Sequence, residues 1–521
     1  MNIDIDNLPN DPELLKKLLL QQVALVNKQE VIIEKKQRLL DSLLESIQLE
    51  KAKRFAASSE KAPGQGDFFD EAESIAEIEK AEIVDDTVSS AESSPKKPRP
   101  TRKPLPEHLP REDRIVEIPM VDRQCECGCT RTEMGEDISE QLEIIPATVK
   151  VIRTRRKKYI CKQCESGVSI APLPPQMLPK SMVAPGLLAY VITSKYQDAL
   201  PLHRLSHIFS RYKIDISRQT LSNWVLNTAA RLKPVTEHLR QHIAKGDVVH
   251  IDETTVQVLK EDGKKPESKS YMWVQKGGPP DQSAVYFHYD RGRASTVPLA
   301  LLDNFEGAIM TDGYAGYNAL AKREGIEALC CMAHLRRKFI EARTAVSKGK
   351  KKKTSKADVA INLIAKLYAV EKSAKKLSAE DRYDMRQERS VPIIAKLKRW
   401  LTEISPAVLP KSKLGEAISY ALKHFDRSTK YVEDGRWPID NNPAENAIRP
   451  FVIGRKNWLF SHSVKGAEAS AALYSLIETS KLNLLEPFDY LRWLFTELPK
   501  GQRSLEELMP WSIDEETINI R

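Results

Sequence analysis

From Gly246 onward the periodicity changes from helical to strand-like, and the order of elements that follows limits what the chain can fold into. DVVHIDETTVQVL (247–259) is rich in β-branched residues, and KSYMWVQKG (269–277) and SAVYFHYD (283–290) repeat the strand pattern after short breaks. Three strands joined this closely must run antiparallel. STVPLALLDNF then predicts a short helix, and GAIMTDGYAGYNAL a strand that ends at Asp312 and leads into a helix. IEALCCM follows as a fifth strand, and AHLRRKFIEA as a helix. Strand–helix alternation belongs to parallel pairing. The expected core is therefore a mixed α/β sheet, three antiparallel strands followed by parallel ones.

Two acids stand where such a sheet offers a ligand site. Asp252 follows the apolar run VVHI, and Asp312 follows AIMT; the carboxyl ends of parallel strands are where open sheets bind ligands. One such aspartate alone is an ordinary turn or helix cap. Two on neighbouring strands repel each other unless a cation lies between them. A third acid, Glu445, lies in RWPIDNNPAENAIRPFVIGRKNWLFS (436–461). Taken alone, this stretch has a plain reading, in which Pro443 starts a helix and Glu445 pairs with Arg449 at i,i+4. Beside the aspartates it has a second one. Three carboxylates can hold two Mg²⁺ (or Mn²⁺) ions, which activate a nucleophile and stabilise a leaving oxygen at one phosphorus. Arg449, Arg455 and Lys456 would then hold a nucleic-acid backbone beside them. Trp458 could stack on a base, although a tryptophan in NWLF is better read as core.

The rest of the 521-residue chain is organised around this core. Residues 1–55 read as a coiled-coil helix, with Asp11 as N-cap. Leu18, Leu25, Ile32 and Leu39 recur every seven residues, as do Leu19, Val26, Ile33, Leu40 and Ile47. Residues 56–120 read as a linker, with ten acids between Asp67 and Pro95 followed by the basic run KKPRPTRK. Residues 121–172 hold CECGC and CKQC on either side of a strand-rich stretch. Five of the seven cysteines (Cys125, Cys127, Cys129, Cys161 and Cys164) fall here, a pattern that suits one structural Zn²⁺. The first cluster offers three thiols for two positions, so its pairing stays open. Arg153, Arg155, Arg156, Lys157 and Lys158 lie between the clusters as a basic face. Residues 173–243 read as a helix-turn-helix-like DNA-binding domain, its second helix capped by Ser217 and presenting Arg218, Gln219, Ser222 and Asn223. Residues 244–344 and 431–480 read as the two parts of a catalytic core. Between Asp312 and Glu445 lie 132 residues, read as a helical insertion over 345–430 that opens on the lysine-rich AVSKGKKKKTSK. Residues 481–521 read as a tail.

Formal net charge is +9, so the distribution of basic residues says more than their sum. No run of 18 apolar residues spans a membrane, and MNIDIDNLPND lacks a signal-peptide pattern. A cytoplasmic, nucleoid-associated protein is expected.

HIDET (250–254), TDGYAGY (311–317), C-x-x-H-x-R-R-K-F (331–339) and DNNPAENAIRPFVIGRKNW (440–458) together resemble the IS sixty-six type of bacterial insertion-sequence transposase. So do RFAASSEK, the cysteine segment and LIETSKLNLLEPFDYLRWLFTELP near the end. The resemblance implies a DDE transposase with a ribonuclease-H-like core. It implies Asp252, Asp312 and Glu445 as the metal-binding catalytic triad, with Cys331 and His334 as a supporting C-x-x-H element. It further implies double-stranded DNA as partner (element ends and target), a homodimer or higher oligomer, and small accessory proteins of the same element. No tyrosine or serine motif for a covalent protein–DNA intermediate stands out. A structure-specific nuclease on the same core, or a non-catalytic DNA-binding relative, are the alternative readings.

Overall fold

The computed structural model describes residues 12–55, 149–160, 168–346 and 355–518. The chain divides into two units, residues 1–69 with 155–521 and residues 70–154. Of the second, 149–154 are described and have no regular secondary structure. Cys125, Cys127, Cys129, Cys161 and Cys164, the linker over 56–120 and residues 347–354 of the lysine run lie outside the described residues.

Helix α1 (Pro12–Phe55) is unbroken over 44 residues. Leu19, Val26, Ile33 and Leu40, successive members of one heptad seam, are exposed to 63%, 47%, 65% and 55%. Among the described residues no helix is long and apolar enough to cross a membrane. Strands β1 (Lys158–Ile160) and β2 (Val168–Ile170) pair antiparallel, and Arg153, Arg155, Arg156, Lys157 and Lys158 are exposed.

Three helices follow: α2 (Pro185–Tyr196), α3 (Leu202–Arg211) and α4 (Arg218–Ile243). Ser217 caps α4, its hydroxyl accepting from the Thr220 amide at 3.1 Å. Leu188, Ile192, Leu221, Leu232 and Leu239 on these helices belong to the same apolar core as the sheet. The helical segment thus packs as a layer against the sheet.

The sheet comprises β3 (Val248–Lys260), β4 (Lys269–Gly277), β5 (Ala284–Asp290), β6 (Gly307–Thr311) and β7 (Ile326–Cys330), with α5 (Thr296–Leu301) between β5 and β6. Its order is β5-β4-β3-β6-β7. β4 is antiparallel to both β3 and β5, whereas β3, β6 and β7 are parallel. This is the mixed sheet the element order predicts. One expectation fails: no α-helix follows Asp312. Two 3₁₀ turns, Ala315–Tyr317 and Leu320–Lys322, take its place. Gly313 adopts φ +82°, and the Asp312 carboxylate accepts from the Tyr314 amide at 2.8 Å, so the chain turns at once. Tyr317 is then buried edge-on against Trp273.

Helix α6 (Met332–Val346) leads into α7 (Lys356–Ala374), α8 (Ala379–Met385), α9 (Val391–Ile404) and α10 (Lys413–Thr429). Leu335 and Phe339 of α6 pack with Ile364, Leu397, Leu401 and Phe425 in a second core. The chain then returns through residues 430–441 to α11 (Asn442–Trp458), strand β8 (Ser461–Ser463), α12 (Val464–Leu482), α13 (Pro487–Glu497) and α14 (Glu515–Ile518). β8 adds parallel to the far end of β3. The segment read as a tail is packed, with Tyr490, Leu491, Leu494 and Phe495 fully buried. Helix α12 also closes the β5 edge. The Val285 and Phe287 amides donate to the Thr479 and Ser475 hydroxyls at 3.0 and 2.8 Å, and Thr479 Oγ1 donates back to the Val285 carbonyl. An edge that would otherwise carry unpaired amides is thereby satisfied by side chains.

Arg386 fixes the return segment. Its side chain is 1% exposed. Its guanidinium makes five hydrogen bonds, to both Glu371 oxygens and to the carbonyls of Tyr431, Asp434 and Trp437, at 2.7–3.0 Å. Every N–H of the group is used. Replacing Arg386 with Met leaves Glu371 and three carbonyls without their donor. The expected loss of stability is about 3–5 kcal/mol, read from urea unfolding; a loss below about 1 kcal/mol would contradict this role.

Candidate active site

The two aspartates are brought together by strand register. Parallel pairing of β3 with β6 ends at His250 opposite Met310. Two residues further along each strand stand Asp252 and Asp312. Asp252 remains within β3 because that strand continues its pairing with β4, Asp252 standing opposite Val274. The apolar runs before each acid are the buried, paired parts of the strands, and the acids begin where the pairing opens.

Asp252 is 7% exposed. Its Oδ1 accepts from the Glu253 amide at 2.8 Å, and its Oδ2 is buried with no hydrogen-bond partner. Burial pushes its carboxyl well above the usual carboxylate range, and Glu253, Asp312 and Glu445 push it further. Asp312 is held on both sides, its carboxylate by the Tyr314 amide and its carbonyl by the Tyr420 hydroxyl of α10 at 2.6 Å.

Glu445 lies in the first turn of α11, behind Pro443. That turn is fixed against β3 by Asn441, which is fully buried. Asn441 Nδ2 donates to the Ile251 carbonyl at 3.0 Å, and His250 Nδ1 donates to its Oδ1 at 3.1 Å. Its own amide donates to the Cys331 sulfur at 3.2 Å, and its carbonyl accepts from the Glu445 amide at 3.1 Å. Burial drives the His250 imidazole down to about 4, so it is neutral at pH 7.

Two side chains of α6 face Glu445. His334 Nδ1 lies 3.5 Å from Oε1 and Arg337 Nη2 lies 3.6 Å from Oε2. The His334 contact lacks hydrogen-bond geometry, since both atoms are buried and without a partner. Among the described residues one group of three His, Cys, Asp or Glu ligand atoms lies within 4.8 Å of one another, and it is Cys331, His334 and Glu445. The three carboxylates are spread more widely, close enough for their fields to add at Asp252.

Four residues at the site escaped the sequence reading. Glu253, next to Asp252, is buried, takes the Arg293 guanidinium as an ion-pair partner and accepts from the Tyr317 hydroxyl. Arg293 in turn lies 3.5 Å over the Tyr314 ring. Nothing in the HIDET run says which face Glu253 takes or what meets it. Arg337 was within reach, because it stands three residues after His334 on one helix face. Asn441 stands two residues before Pro443, and nothing in the sequence around it names the strand it binds.

The expected DNA contacts are distributed. Arg218, Gln219 and Asn223 are exposed at the start of α4, with Gln219 donating to Asn223 at 3.1 Å, and Ser222 is half-buried. Arg449 is half-buried and Lys456 exposed. Arg455 is buried and donates to the hydroxyls of Thr254 and Thr255 at 3.2 and 3.4 Å. Trp458 packs edge-on against Phe451 at 5.4 Å, a core position as its context suggests.

Residues 180–469 match the family described as Transposase IS66 family, a span that contains all three carboxylates and the C-x-x-H element. The chain belongs to this transposase family. Residues 122–165 match the zinc-finger binding domain of transposase IS66, a span that includes all five clustered cysteines and supports a structural Zn²⁺. Residues 42–114 match a segment described as Transposase C of IS166 homeodomain, and residues 475–511 match the IS66 C-terminal element. The chain is similar to two uncharacterized proteins of Sinorhizobium fredii (strain NBRC 101917 / NGR234). y4jD is 33% identical over 78% of this chain and 81% of its own length, and y4qI is 33% identical over 84% and 82%.

The orphaned Asp252 oxygen, set among repelling carboxylates, suits a divalent cation. Asp252, Asp312 and Glu445 are the residues that would hold it. Asp252→Asn removes the buried charge. The metal-free variant is expected to unfold a few degrees above the parent, and Mg²⁺ is expected to raise the midpoint of the parent but not of the variant. Differential scanning fluorimetry with and without Mg²⁺ reads both; a variant less stable than the metal-free parent would contradict the assignment.

Proposed function

We propose that this protein is a DNA transposase acting by a DDE two-metal mechanism on a ribonuclease-H-like core. The observation that carries the reading is the register of the parallel pair β3 and β6, which sets Asp252 on β3 beside Asp312, the residue after β6, with Glu445 brought to them by the Asn441 anchor. The sheet order, three antiparallel strands continued by two parallel ones, supports the ribonuclease-H-like assignment.

Two Mg²⁺ (or Mn²⁺) ions held by the triad would supply Lewis-acid activation of the attacking oxygen and charge relief at the leaving one. The chain's residues do the rest. The Glu253 amide fixes Asp252 so that its second oxygen stays available, and the Tyr314 amide does the same for Asp312. His334 and Arg337 of α6 orient Glu445. In the reaction, water hydrolyses the phosphodiester at an element end and frees a 3′-OH. That 3′-OH then displaces a phosphodiester of target DNA in line, without a covalent protein–DNA intermediate. Arg218, Gln219, Ser222 and Asn223 contact the duplex from α4. Arg449, Arg455 and Lys456 hold its backbone along α11. The exposed seam of α1 supports a homodimer, which is what two ends cut and joined together require.

Arg455 offers a direct test of the phosphate contact. Burial lowers its affinity for the proton, and its hydrogen-bond partners among the described residues are threonine hydroxyls. A phosphate would supply the missing anion. Arg455→Gln is expected to weaken binding of element-end DNA uniformly across sequences and to lower the slope of log K against log salt by about 1; an unchanged slope removes Arg455 from the interface.

The reaction itself is tested on DNA from the borders of the protein's own element, with Mg²⁺. The parent is expected to produce site-specific 3′-OH ends, and Glu445→Gln to reduce them by at least about 100-fold. Pre-cut ends are expected to yield strand-transfer products, which a structure-specific nuclease does not form. A protein-linked DNA end, or equal cutting by both proteins, would overturn the mechanism.

A further inference from the structure

We infer that Cys331, His334 and Glu445 form a second metal site, selective for a thiophilic divalent cation such as Zn²⁺, distinct from the zinc finger and overlapping the Mg²⁺ site at Glu445. The three ligand atoms lie within 4.8 Å of one another. They converge from two elements. Cys331 follows the last residue of β7 and His334 lies in the first turn of α6, so a C-x-x-H pair spans a strand–helix junction, and Glu445 arrives from the first turn of α11.

The hydrogen bonds around the site are those of a ligand set lacking its ion. The Cys331 sulfur accepts from the Asn441 amide at 3.2 Å and from the His334 backbone amide. Donors directed at sulfur are the outer contacts that hold a metal-bound thiolate. His334 Nδ1 and Glu445 Oε1 are buried, 3.5 Å apart, and neither makes a hydrogen bond. The Glu445 side chain is nine-tenths buried, at 10% exposure. Two orphaned polar atoms facing each other beside an accepting sulfur suit a cation that all three share.

The donor set decides which cation. One thiolate, one imidazole and one carboxylate suit Zn²⁺ and its analogue Co²⁺, whereas Mg²⁺ takes oxygen ligands. Three protein ligands leave a fourth position for water. Thiolate ligation releases the sulfur proton to solvent, and no other covalent change is involved. Glu445 belongs to both sites. A Zn²⁺ ion bound here withdraws that carboxylate from Asp252 and Asp312, so Zn²⁺ inhibits DNA cleavage in competition with Mg²⁺. Binding stands independently of the transposase reading; the inhibition rests on it.

The test is Co²⁺ titration of the full chain, read by sulfur-to-cobalt charge-transfer absorption and by metal content. Cys331→Ser is expected to bind one equivalent fewer than the parent and to lose part of the charge-transfer intensity. His334→Gln, which keeps the thiol, is expected to weaken that equivalent by more than about tenfold. Cys161→Ser is expected to lose a different equivalent. Equal stoichiometry and spectra for the parent, Cys331→Ser and His334→Gln would overturn the site. If Cys331→Ser does not fold, the His334→Gln affinity decides by itself. With Mg²⁺ and DNA present, Zn²⁺ is expected to slow cleavage by the parent, and added Mg²⁺ to restore it. If Co²⁺ binds as expected and cleavage is absent throughout, the metal site stands and the transposase reading fails.

Discussion

The arrangement depends on one buried amide. Asn441 fastens three parts of the chain that differ widely in sequence position: the Ile251 carbonyl and His250 on the central strand, the Cys331 sulfur where the last parallel strand ends, and the first turn of the glutamate helix. An unmade hydrogen bond at a fully buried amide costs about 1–3 kcal/mol, and here both ends of the side chain are engaged. Because Ile251 precedes Asp252, and Asn441 precedes the glutamate helix, this one side chain ties the third carboxylate to the first.

The anchor works against electrostatics. Asp252 faces Glu253, Asp312 and Glu445 in a buried setting that disfavours ionisation. The chain balances this locally in two ways. Arg293 sits against Glu253 behind the strand, and His334 and Arg337 face Glu445 from α6. Asp252 itself receives no counter-charge from the described residues, only the amide of its neighbour. The strain sits where an ion would relieve it, an arrangement typical of functional sites.

Much of the sheet was legible in the sequence because strand patterning is local. The strands before Asp252 and Asp312 are continuous apolar runs, and each acid marks the point where pairing opens. The helix expected after Asp312 was not found, because Gly313 and the Asp312 side chain turn the backbone immediately. TDGYAGY contains that signal, but the tyrosines that hold the turn reach Arg293 and Glu253, well separated from them in sequence. The partners of Glu445 were hidden for a similar reason. Its neighbours at helical spacing are visible in the sequence, whereas His334 and Arg337 approach from a helix more than a hundred residues earlier. The segment over 173–243 reads as a helix-turn-helix-like domain; that its apolar faces share one core with the sheet is visible only in the tertiary structure.

The closure of the β5 edge by α12 bears on how the chain is made. Val285 and Phe287 wait for hydroxyls that lie 194 and 188 residues later. At a synthesis rate of about 5–20 residues per second, that interval is on the order of 10–40 s. Throughout it the nascent sheet carries an open, apolar-flanked edge. Glu445 emerges within the same interval, so the chain on the ribosome has both aspartates and no third carboxylate for much of its synthesis. Completion of the sheet therefore comes after Glu445 has been added, and a prematurely terminated product keeps a sticky strand.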